Sequence, residues 1–227
     1  MKPSRKFYPA LLFFLSLLSG GRYVAESFAS ETFFLPKPGC QFIIPNGYQK
    51  AEKAVHDRVE SYRMSLYPDR FSEDEKRKRA KLEAIFHKRL NKDLYPDRPF
   101  FTLQIRDIGR KVNYGDINIQ RETFVKMQRD PVEIFKDIDA VRLLDYLSFT
   151  KFVEYKNTNS FLIMLSTKIA EDEKEGYVLQ YFKFYSTGLI IFNFYSDKEA
   201  IRGDIQDFYT VINSFKLDNR AEVKLGR

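Results

Sequence analysis

Side chains that commonly carry catalysis or bind metal ions are scarce in this chain of 227 residues. Its only histidines are His56 and His87, 31 positions apart, and its only cysteine is Cys40. Zinc sites need several His or Cys ligands at short spacing, and nucleophilic triads need a histidine beside a nucleophile and an acid. The sequence contains neither a glycine-rich phosphate-binding loop nor a Gly-x-Ser-x-Gly elbow. We therefore predict no catalytic residues, no metal site and no cofactor.

The single cysteine cannot form a disulfide within the chain. Free cysteines are among the most buried residue types and behave as small apolar side chains. We predict that Cys40 is buried at the start of a strand. An intermolecular bridge or a redox-active thiol is the alternative.

Two other patterns supply candidate binding residues. The basic run Lys-Arg-Lys-Arg at 76–79 suits contact with an acidic partner. The pentapeptide Leu-Tyr-Pro-Asp-Arg occurs at 66–70 and again at 94–98, so its two copies bracket this run. Pro-Asp is typical of a boundary between two elements, against which the tyrosine packs, and the alternative is a two-armed recognition patch. The candidate binding residues are Arg77, Lys78, Arg79, Tyr67 and Tyr95.

The first 29 residues have the order of a secretory signal peptide. A basic start at 2–6 precedes an apolar run at 7–18, and the segment closes on Ser-Phe-Ala at 27–29. A run of this length falls short of the roughly 20 apolar residues that a membrane-spanning helix needs. We predict a cleaved signal over 1–29, a mature chain that starts near Ser30, and a periplasmic or extracellular location. An uncleaved N-terminal anchor is the alternative.

Removal of this segment changes the charge argument. The full chain has a formal net charge of +7, and residues 1–29 hold four basic side chains against one acidic one, so +4 remains after cleavage. So small an excess gives no case for a nucleic-acid partner. Three acidic residues at 73–75 precede the basic run and reduce its field. The sequence leaves room only for a weak contact with an anionic surface.

The pattern of residues 49–98 predicts a charged helical insertion. Apolar residues recur at helical spacing over Gln49–Met64. Ser72 and Glu75 match a capping box, which predicts a helix over Glu73–Lys92 that leaves Lys76–Lys81 in solvent. Its apolar stripe is Leu82, Ile85, Phe86 and Leu90, and His87 lies on the same helix.

Strand patterns dominate the chain from residue 100 onward. Phe100–Ile108 alternates as a half-buried strand is expected to. Four further strands form a predicted antiparallel meander, a closing helix covers Asp197–Asn213, and the polar tail at 218–227 is expected to fray. The meander strands are predicted at 149–155, 161–169, 177–185 and 189–195.

The last two of these strands are apolar on both faces. Antiparallel sheets usually keep one face wet, so other elements must cover both sides, or one face is a contact surface. The predicted fold class is α+β, an antiparallel meander flanked by helices, in one domain over 30–217. The phenylalanines expected together on one buried face are Phe182, Phe184, Phe192 and Phe194.

The order of these elements resembles that of the PsbP-like superfamily. An early strand ends in a Pro-Asn-Gly-Tyr turn at 45–48, and the final helix runs into Ser-Phe-Lys-Leu at 214–217. The resemblance covers about 40–48 and 149–217, and Tyr48 stands where a tryptophan is usual. It implies an α/β/α sandwich and a non-catalytic accessory role, and it transfers no catalytic residues.

These observations favour an exported, non-enzymatic accessory or binding protein. It would act through protein contact or through a small ligand on an aromatic sheet face. One alternative is a periplasmic hydrolase, for which a buried, convergent cluster of polar side chains in a cleft would be the sign. Another is a membrane-surface protein held by an uncleaved N-terminus and the basic helix.

Overall fold

The computed structural model describes residues 31–67, 69–129, 144–155, 159–169 and 175–223. Within these ranges the chain forms ten strands and four helices. The predicted signal peptide lies outside the described residues. The strands are β1 (Thr32–Leu35), β2 (Cys40–Ile43), β3 (Gln49–Lys50), β4 (Ala84–His87), β5 (Phe100–Asp107), β6 (Leu144–Tyr155), β7 (Ser160–Ile169), β8 (Glu175–Tyr185), β9 (Gly188–Asp197) and β10 (Lys216–Leu217). The helices are α1 (Lys53–Ser65), α2 (Glu73–Ala80), α3 (Tyr114–Arg129) and α4 (Ile201–Ser214).

The strands form two antiparallel sheets. Seven strands are ordered β3-β4-β5-β9-β8-β7-β6, and three are ordered β1-β2-β10. The predicted meander is β6 to β9, whose strands pair with their neighbours in chain order. The α+β fold class, with an antiparallel sheet flanked by helices, is confirmed. The boundaries predicted for the domain and for the insertion stay predictions.

The small sheet and α4 cover one face of the large sheet, which we call the front face. Phe42 of β2 lies at the centre of this layer, with its ring centroid 5.7 Å from that of Phe86 and 5.1 Å from that of Phe192. Phe208 and Val211, on one side of α4, complete the same cluster. Burial of these rings provides the apolar driving force that holds the two layers together.

The other three helices lie over the opposite, back face, where they contact two separate apolar clusters. Phe124 of α3 packs on β7 and β8, whereas Val55 and Val59 of α1 pack around Ile85 of β4. A row of polar side chains from three neighbouring strands lies between the clusters. Asn193 Nδ2 donates to Thr102 Oγ1 at 3.2 Å, and Gln180 Nε2 donates to Asn193 Oδ1 at 2.6 Å.

Burial of this row corrects the sequence-based reading of β5. Thr102 and Gln104 are both buried, although the alternating pattern predicted that they face water. A strand paired on both sides, and covered by α2 and its flanking residues, has no wet face. The amide of Gln104 then finds its partner in the backbone, the carbonyl oxygen of Arg79 at 2.9 Å.

The connection between β8 and β9 consists only of residues 186 and 187. Phe182 is thereby opposite Ile191. Phe192 is opposite Tyr181. Because directly opposite residues of an antiparallel pair point to the same side of the sheet, an even-numbered residue of one strand shares a face with odd-numbered residues of the other.

This register separates the four phenylalanines that were expected together. Phe182 and Phe184 belong to the back-face cluster, and Phe192 and Phe194 belong to the front-face cluster. The predicted single face is wrong. The expectation that both faces of the hairpin are covered is confirmed by burial of all four side chains.

Glycine is required at the first residue of β9. A Cβ atom on Gly188 would collide with the carbonyl oxygen of Arg106 on the neighbouring strand and with the ring of Tyr185. The tight turn therefore depends on a residue without a side chain, which lets β5 approach the start of β9.

The predicted helix Glu73–Lys92 is wrong beyond Ala80. The capping box at its start is present: Ser72 Oγ accepts from Glu75 N, and the Glu75 side chain accepts from Ser72 N. After Ala80 the chain turns extended, and Ala84–His87 pairs with β5 as β4. A short apolar run is compatible with either a helix or a buried strand, and pairing with β5 decides for the strand.

The described part of the predicted tail, residues 218–223, is not frayed, and residues 224–227 lie outside the described residues. Residues 218–223 fold back against the large sheet, and Ala221 is buried. Ala221 O accepts a hydrogen bond from Ser186 N at 2.7 Å. This return contact ties the C-terminal segment to the β8–β9 turn.

We expect the substitution Phe192→Ala to lower the free energy of unfolding by about 3–5 kcal/mol, because it leaves a cavity in the front-face cluster. The side chain of Phe192 is 1% exposed, whereas Phe34 on β1 is 59% exposed. Phe34→Ala is therefore the matched control and should change stability little. Urea denaturation of both variants measures the difference. Equal losses at the two positions would contradict the packing described for the front face.

Candidate functional site

An open groove of about 590 Å³ lies on the front face where α4 passes the ends of β6, β7 and β8. Its walls come from these strands, from α4, and from the segment that follows it. The lining residues are Tyr155, Leu162, Tyr181, Lys183, Phe208, Tyr209, Ile212, Asn213, Phe215, Lys216, Leu217, Asn219 and Glu222.

Aromatic rings supply much of the wall. The ring centroid of Tyr181 lies 6.4 Å from that of Tyr155 and 6.4 Å from that of Phe215. On α4, the ring of Tyr209 lies next to the buried ring of Phe208, with 5.9 Å between centroids. Tyr155 is 38% exposed, so the groove presents aromatic surface to solvent.

A buried cation lies in the wall of the groove. Alternation along β8 turns Lys183 to the front face, where its side chain is only 5% exposed. Its ammonium group lies 3.0 Å from Glu222 Oε2, and the Glu222 side chain is 40% exposed. A buried charge needs such a partner, so Glu222 holds the C-terminal segment at the edge of the groove.

Tyr155 and Tyr181 remain protonated at neutral pH. Burial raises the pKa of Tyr181. Burial also raises the pKa of Tyr155, and the nearby Tyr209 adds to that effect. Each hydroxyl is therefore available as a neutral donor or acceptor, while the ring offers apolar surface. Such a lining suits binding of an amphipathic ligand better than acid–base chemistry.

The residues predicted to bind from the sequence lie elsewhere, around α1 and α2. Tyr67 and Arg79 meet, because the Tyr67 hydroxyl donates to the carbonyl oxygen of Arg79 at 3.2 Å. Arg77 and Lys78 are exposed on α2. Tyr95 packs its ring on that of Tyr62 of α1, with 5.5 Å between centroids. Binding by these residues stays a prediction.

The sequence prediction named none of the groove residues, although it expected an aromatic sheet face to bind. The alternating pattern of β8 does mark Tyr181 and Lys183 as neighbours on one face. The contribution of Glu222 has no signal in the local sequence, since it comes from a segment that was expected to fray.

The two histidines lie in different kinds of element. His56 is on α1, with Nδ1 3.6 Å from Glu60 Oε1. His87 is in β4 and not on a helix, it is buried, and its Nδ1 makes no hydrogen bond with any described residue. Burial lowers the pKa of His87, and the backbone of Arg89 opposes this shift.

Reaction of the Cys40 thiol is also unfavourable, because the side chain is buried. Cys40 is 1% exposed, and burial raises the pKa of its thiol to about 12. The prediction of a small buried apolar residue at the start of a strand is confirmed. Across the part of the chain that the structure describes, no three His, Cys, Asp or Glu side chains gather in a metal-binding arrangement.

Among the helices of the described ranges, none has the length and apolar character needed to cross a bilayer.

Comparison with known proteins supports the fold. No protein-family model matches this chain, and no curated protein matches it by sequence. Among solved structures, the chain is similar to the solution structure of cyanobacterial PsbP (CyanoP) from Synechocystis sp. PCC 6803, with a TM-score of 0.52. The match covers 87% of this chain and 98% of that chain at 14% sequence identity. The structural match supports a PsbP-like fold. Because the sequence identity is low, membership of the family stays a prediction.

We expect the buried histidine to make the protein sensitive to acid. Burial lowers the pKa of His87 below its ordinary value of 6.5, so the unfolded chain takes up a proton more readily than the native state does. The stability that the neutral imidazole of His87 contributes is complete above about pH 6.5, and it is lost progressively as the pH falls towards the lowered pKa. His87→Gln should therefore lose less stability than the parent between about pH 7.5 and pH 5.

The control for this prediction is His56→Gln, the same change at the other histidine. Thermal unfolding across this pH range compares the three proteins. If His56→Gln reduces the acid sensitivity and His87→Gln does not, the assignment to the buried imidazole is wrong.

Proposed function

We propose that this chain is an exported, non-enzymatic accessory protein that binds a segment of a partner protein in the aromatic groove. The observation that carries the proposal is the groove itself, in which rings from strands and a helix line a wall that also holds the buried Lys183 and its partly exposed partner Glu222. Aromatic side chains with one polar end are the residues that protein interfaces favour, since they bury much apolar surface and lose little conformational entropy.

The shape of the groove favours a protein segment over an enclosed small ligand. Small-molecule pockets bury most of the surface of their ligand. This groove is open along α4, and Tyr209 and Asn213 lie on its rim one helical turn apart. An extended or helical segment can lie along that rim with apolar side chains against the rings of Tyr155 and Phe215.

The chemistry of the lining supports binding and not turnover. Its residues include no histidine and no cysteine. The Lys183 ammonium is paired with Glu222, and the buried Tyr181 stays protonated because burial raises its pKa. A hydrolase would need a nucleophile beside a base, together with donors for a developing oxyanion. The described residues of the groove present aromatic and apolar surface to a partner and do not form such a catalytic arrangement.

Export is the second part of the proposal. It rests on the basic, apolar and small-residue order of residues 1–29. The likeness of fold to cyanobacterial PsbP supports an accessory role of the kind that the sequence resemblance implies. In this proposal, the folded domain meets its partner after it has crossed a membrane.

Site-specific photocrosslinking tests the groove. Replacing Tyr209 with p-benzoylphenylalanine places a reactive ring at the rim, and we expect one discrete crosslinked partner when the protein is irradiated in its native compartment. The matched position is Ile119, which is 66% exposed on α3 on the opposite face of the sheet. A probe there should give no such product.

A second variant separates binding from chance contact. Asn213→Arg introduces a bulky charge into the groove and should abolish the crosslink from position 209 without lowering thermal stability. The proposal fails if both probe positions give the same products, or if Asn213→Arg leaves the product unchanged.

Export has its own test. Mass spectrometry of the protein from its natural source should find a mature chain that starts near Ser30, because the segment at 27–29 precedes the expected cleavage point. Recovery of intact Met1–Ala29 on protein in the soluble cytoplasm would contradict export and leave the groove proposal to be judged separately.

A further inference from the structure

Three arginines from different elements meet at one corner of the back face. The carbonyl oxygen of Arg79, near the end of α2, accepts from Gln104 Nε2 of β5 at 2.9 Å and from the Tyr67 hydroxyl at 3.2 Å. Arg106 follows Gln104 by two positions and therefore shares its face of β5. Arg63 of α1 reaches the same corner, since its Nε donates to the carbonyl oxygen of Ala80 at 3.0 Å.

Two of these guanidinium groups are held in place by the protein. The Cζ atom of Arg79 lies 4.3 Å from the ring centroid of Phe71, which positions the planar group over the aromatic face. The hydrogen bond from Arg63 Nε to Ala80 O orients the side chain of Arg63. A side chain that is already held in place loses less conformational entropy when a ligand binds.

Over the ranges that the structure describes, none of these three charges is paired with a carboxylate in a salt bridge. The nearest acid on α2, Glu75, interacts electrostatically with Arg79 at longer range. Removal from water lowers the pKa of Arg106, Tyr67 opposes this shift, and the charges of Arg63 and Arg79 lower the pKa further. Arg106 is nevertheless exposed to solvent, which weakens this shift.

The acidic residues nearest in sequence have other partners but keep their charge. Glu60 accepts from Leu82 N at 2.6 Å, close to the Ala80 carbonyl that Arg63 contacts. Glu83 pairs with Lys81 at 3.3 Å. Asp107 accepts from Gly109 N at 2.7 Å. Three guanidinium groups therefore share the corner with the carboxylates of Glu60 and Glu75, and an anion from outside the domain would balance the positive charge that remains.

We propose that Arg63, Arg79 and Arg106 form a binding site for a phosphate group. Each guanidinium presents a planar fork of N–H donors that matches two oxygens of a phosphate, and three forks from three elements can surround one tetrahedral anion. The site lies on the opposite face of the sheet from the aromatic groove, so it is independent of the groove. The phosphate belongs either to a small soluble compound or to a lipid headgroup.

Thermal unfolding with inorganic phosphate tests the site directly. A ligand that binds only the native state raises the melting temperature, and the increase grows with the logarithm of one plus the ratio of ligand concentration to Kd. We expect phosphate to raise the melting temperature of the mature protein above the value in chloride of equal ionic strength. Chloride is the reference because it screens charge without offering two oxygens to a guanidinium.

Substitutions localise the effect, and two exposed residues of α2 provide the matched controls. Arg63→Gln, Arg79→Gln and Arg106→Gln should each weaken phosphate binding about tenfold, the loss expected for a charge-assisted hydrogen-bonded pair. Arg77→Gln and Lys78→Gln remove the same charge from exposed positions of α2 and should leave the affinity within about twofold. Arg106→Lys keeps the charge and loses the fork, so an intermediate loss is expected from a variant that keeps its fold.

Vesicles distinguish the two sources of phosphate. Binding to phosphatidylcholine vesicles that contain phosphatidic acid, abolished by Arg106→Gln and retained by Arg77→Gln, assigns the site to a lipid headgroup. Stabilisation by free phosphate without vesicle binding assigns it to a soluble compound. The proposal is overturned if phosphate stabilises no more than chloride and the vesicles do not bind, or if the α2 controls lose as much affinity as the cluster variants.

Discussion

The two-residue connection between β8 and β9 is the constraint on which the rest of the structure depends. It fixes which side chains of this hairpin face the front and which face the back, and both faces are buried. A slip of one residue would move the front-face side chains of one strand to the back face and its back-face side chains to the front. Neither set would then face water, but their contacts with the covering layers would be lost. Since residues 188–195 of β9 also pair with the whole of β5, the same register passes to β4 and to the helices around it.

Much of the fold could be predicted because its signals are local. The capping box at Ser72, the four strands of the meander and the stripe of α4 are each encoded within about a dozen residues. The segment around Ile85 was assigned to a helix because its apolar spacing is compatible with both structures, and only pairing with β5, remote in sequence, distinguishes them. The face predicted for Phe182 and Phe184 is wrong for a related reason. It depends on whether the connection between β8 and β9 has an even or an odd number of residues.

Both candidate sites depend on contacts that no local pattern contains. Lys183 and Glu222 are 39 positions apart, and they meet because the C-terminal segment folds back on the sheet. The basic run at 76–79 contains one member of the proposed phosphate site. Arg77, Lys78 and Arg79 are all exposed, but only the backbone of Arg79 is held by Gln104 and Tyr67. The other two arginines of the cluster stand alone in the sequence and acquire a common environment only when α1, α2 and β5 assemble.

The shortness of β3 has a consequence for how other proteins can approach this domain. Many partners attach to a sheet by adding a strand to an exposed edge, using its unpaired backbone N–H and C=O groups as a template. At this edge the outermost strand is only Gln49–Lys50, so it presents almost no such template. The same brevity discourages copies of the chain from joining sheet to sheet there and forming aggregates. A partner that approaches this edge must therefore recognise side chains and not the backbone.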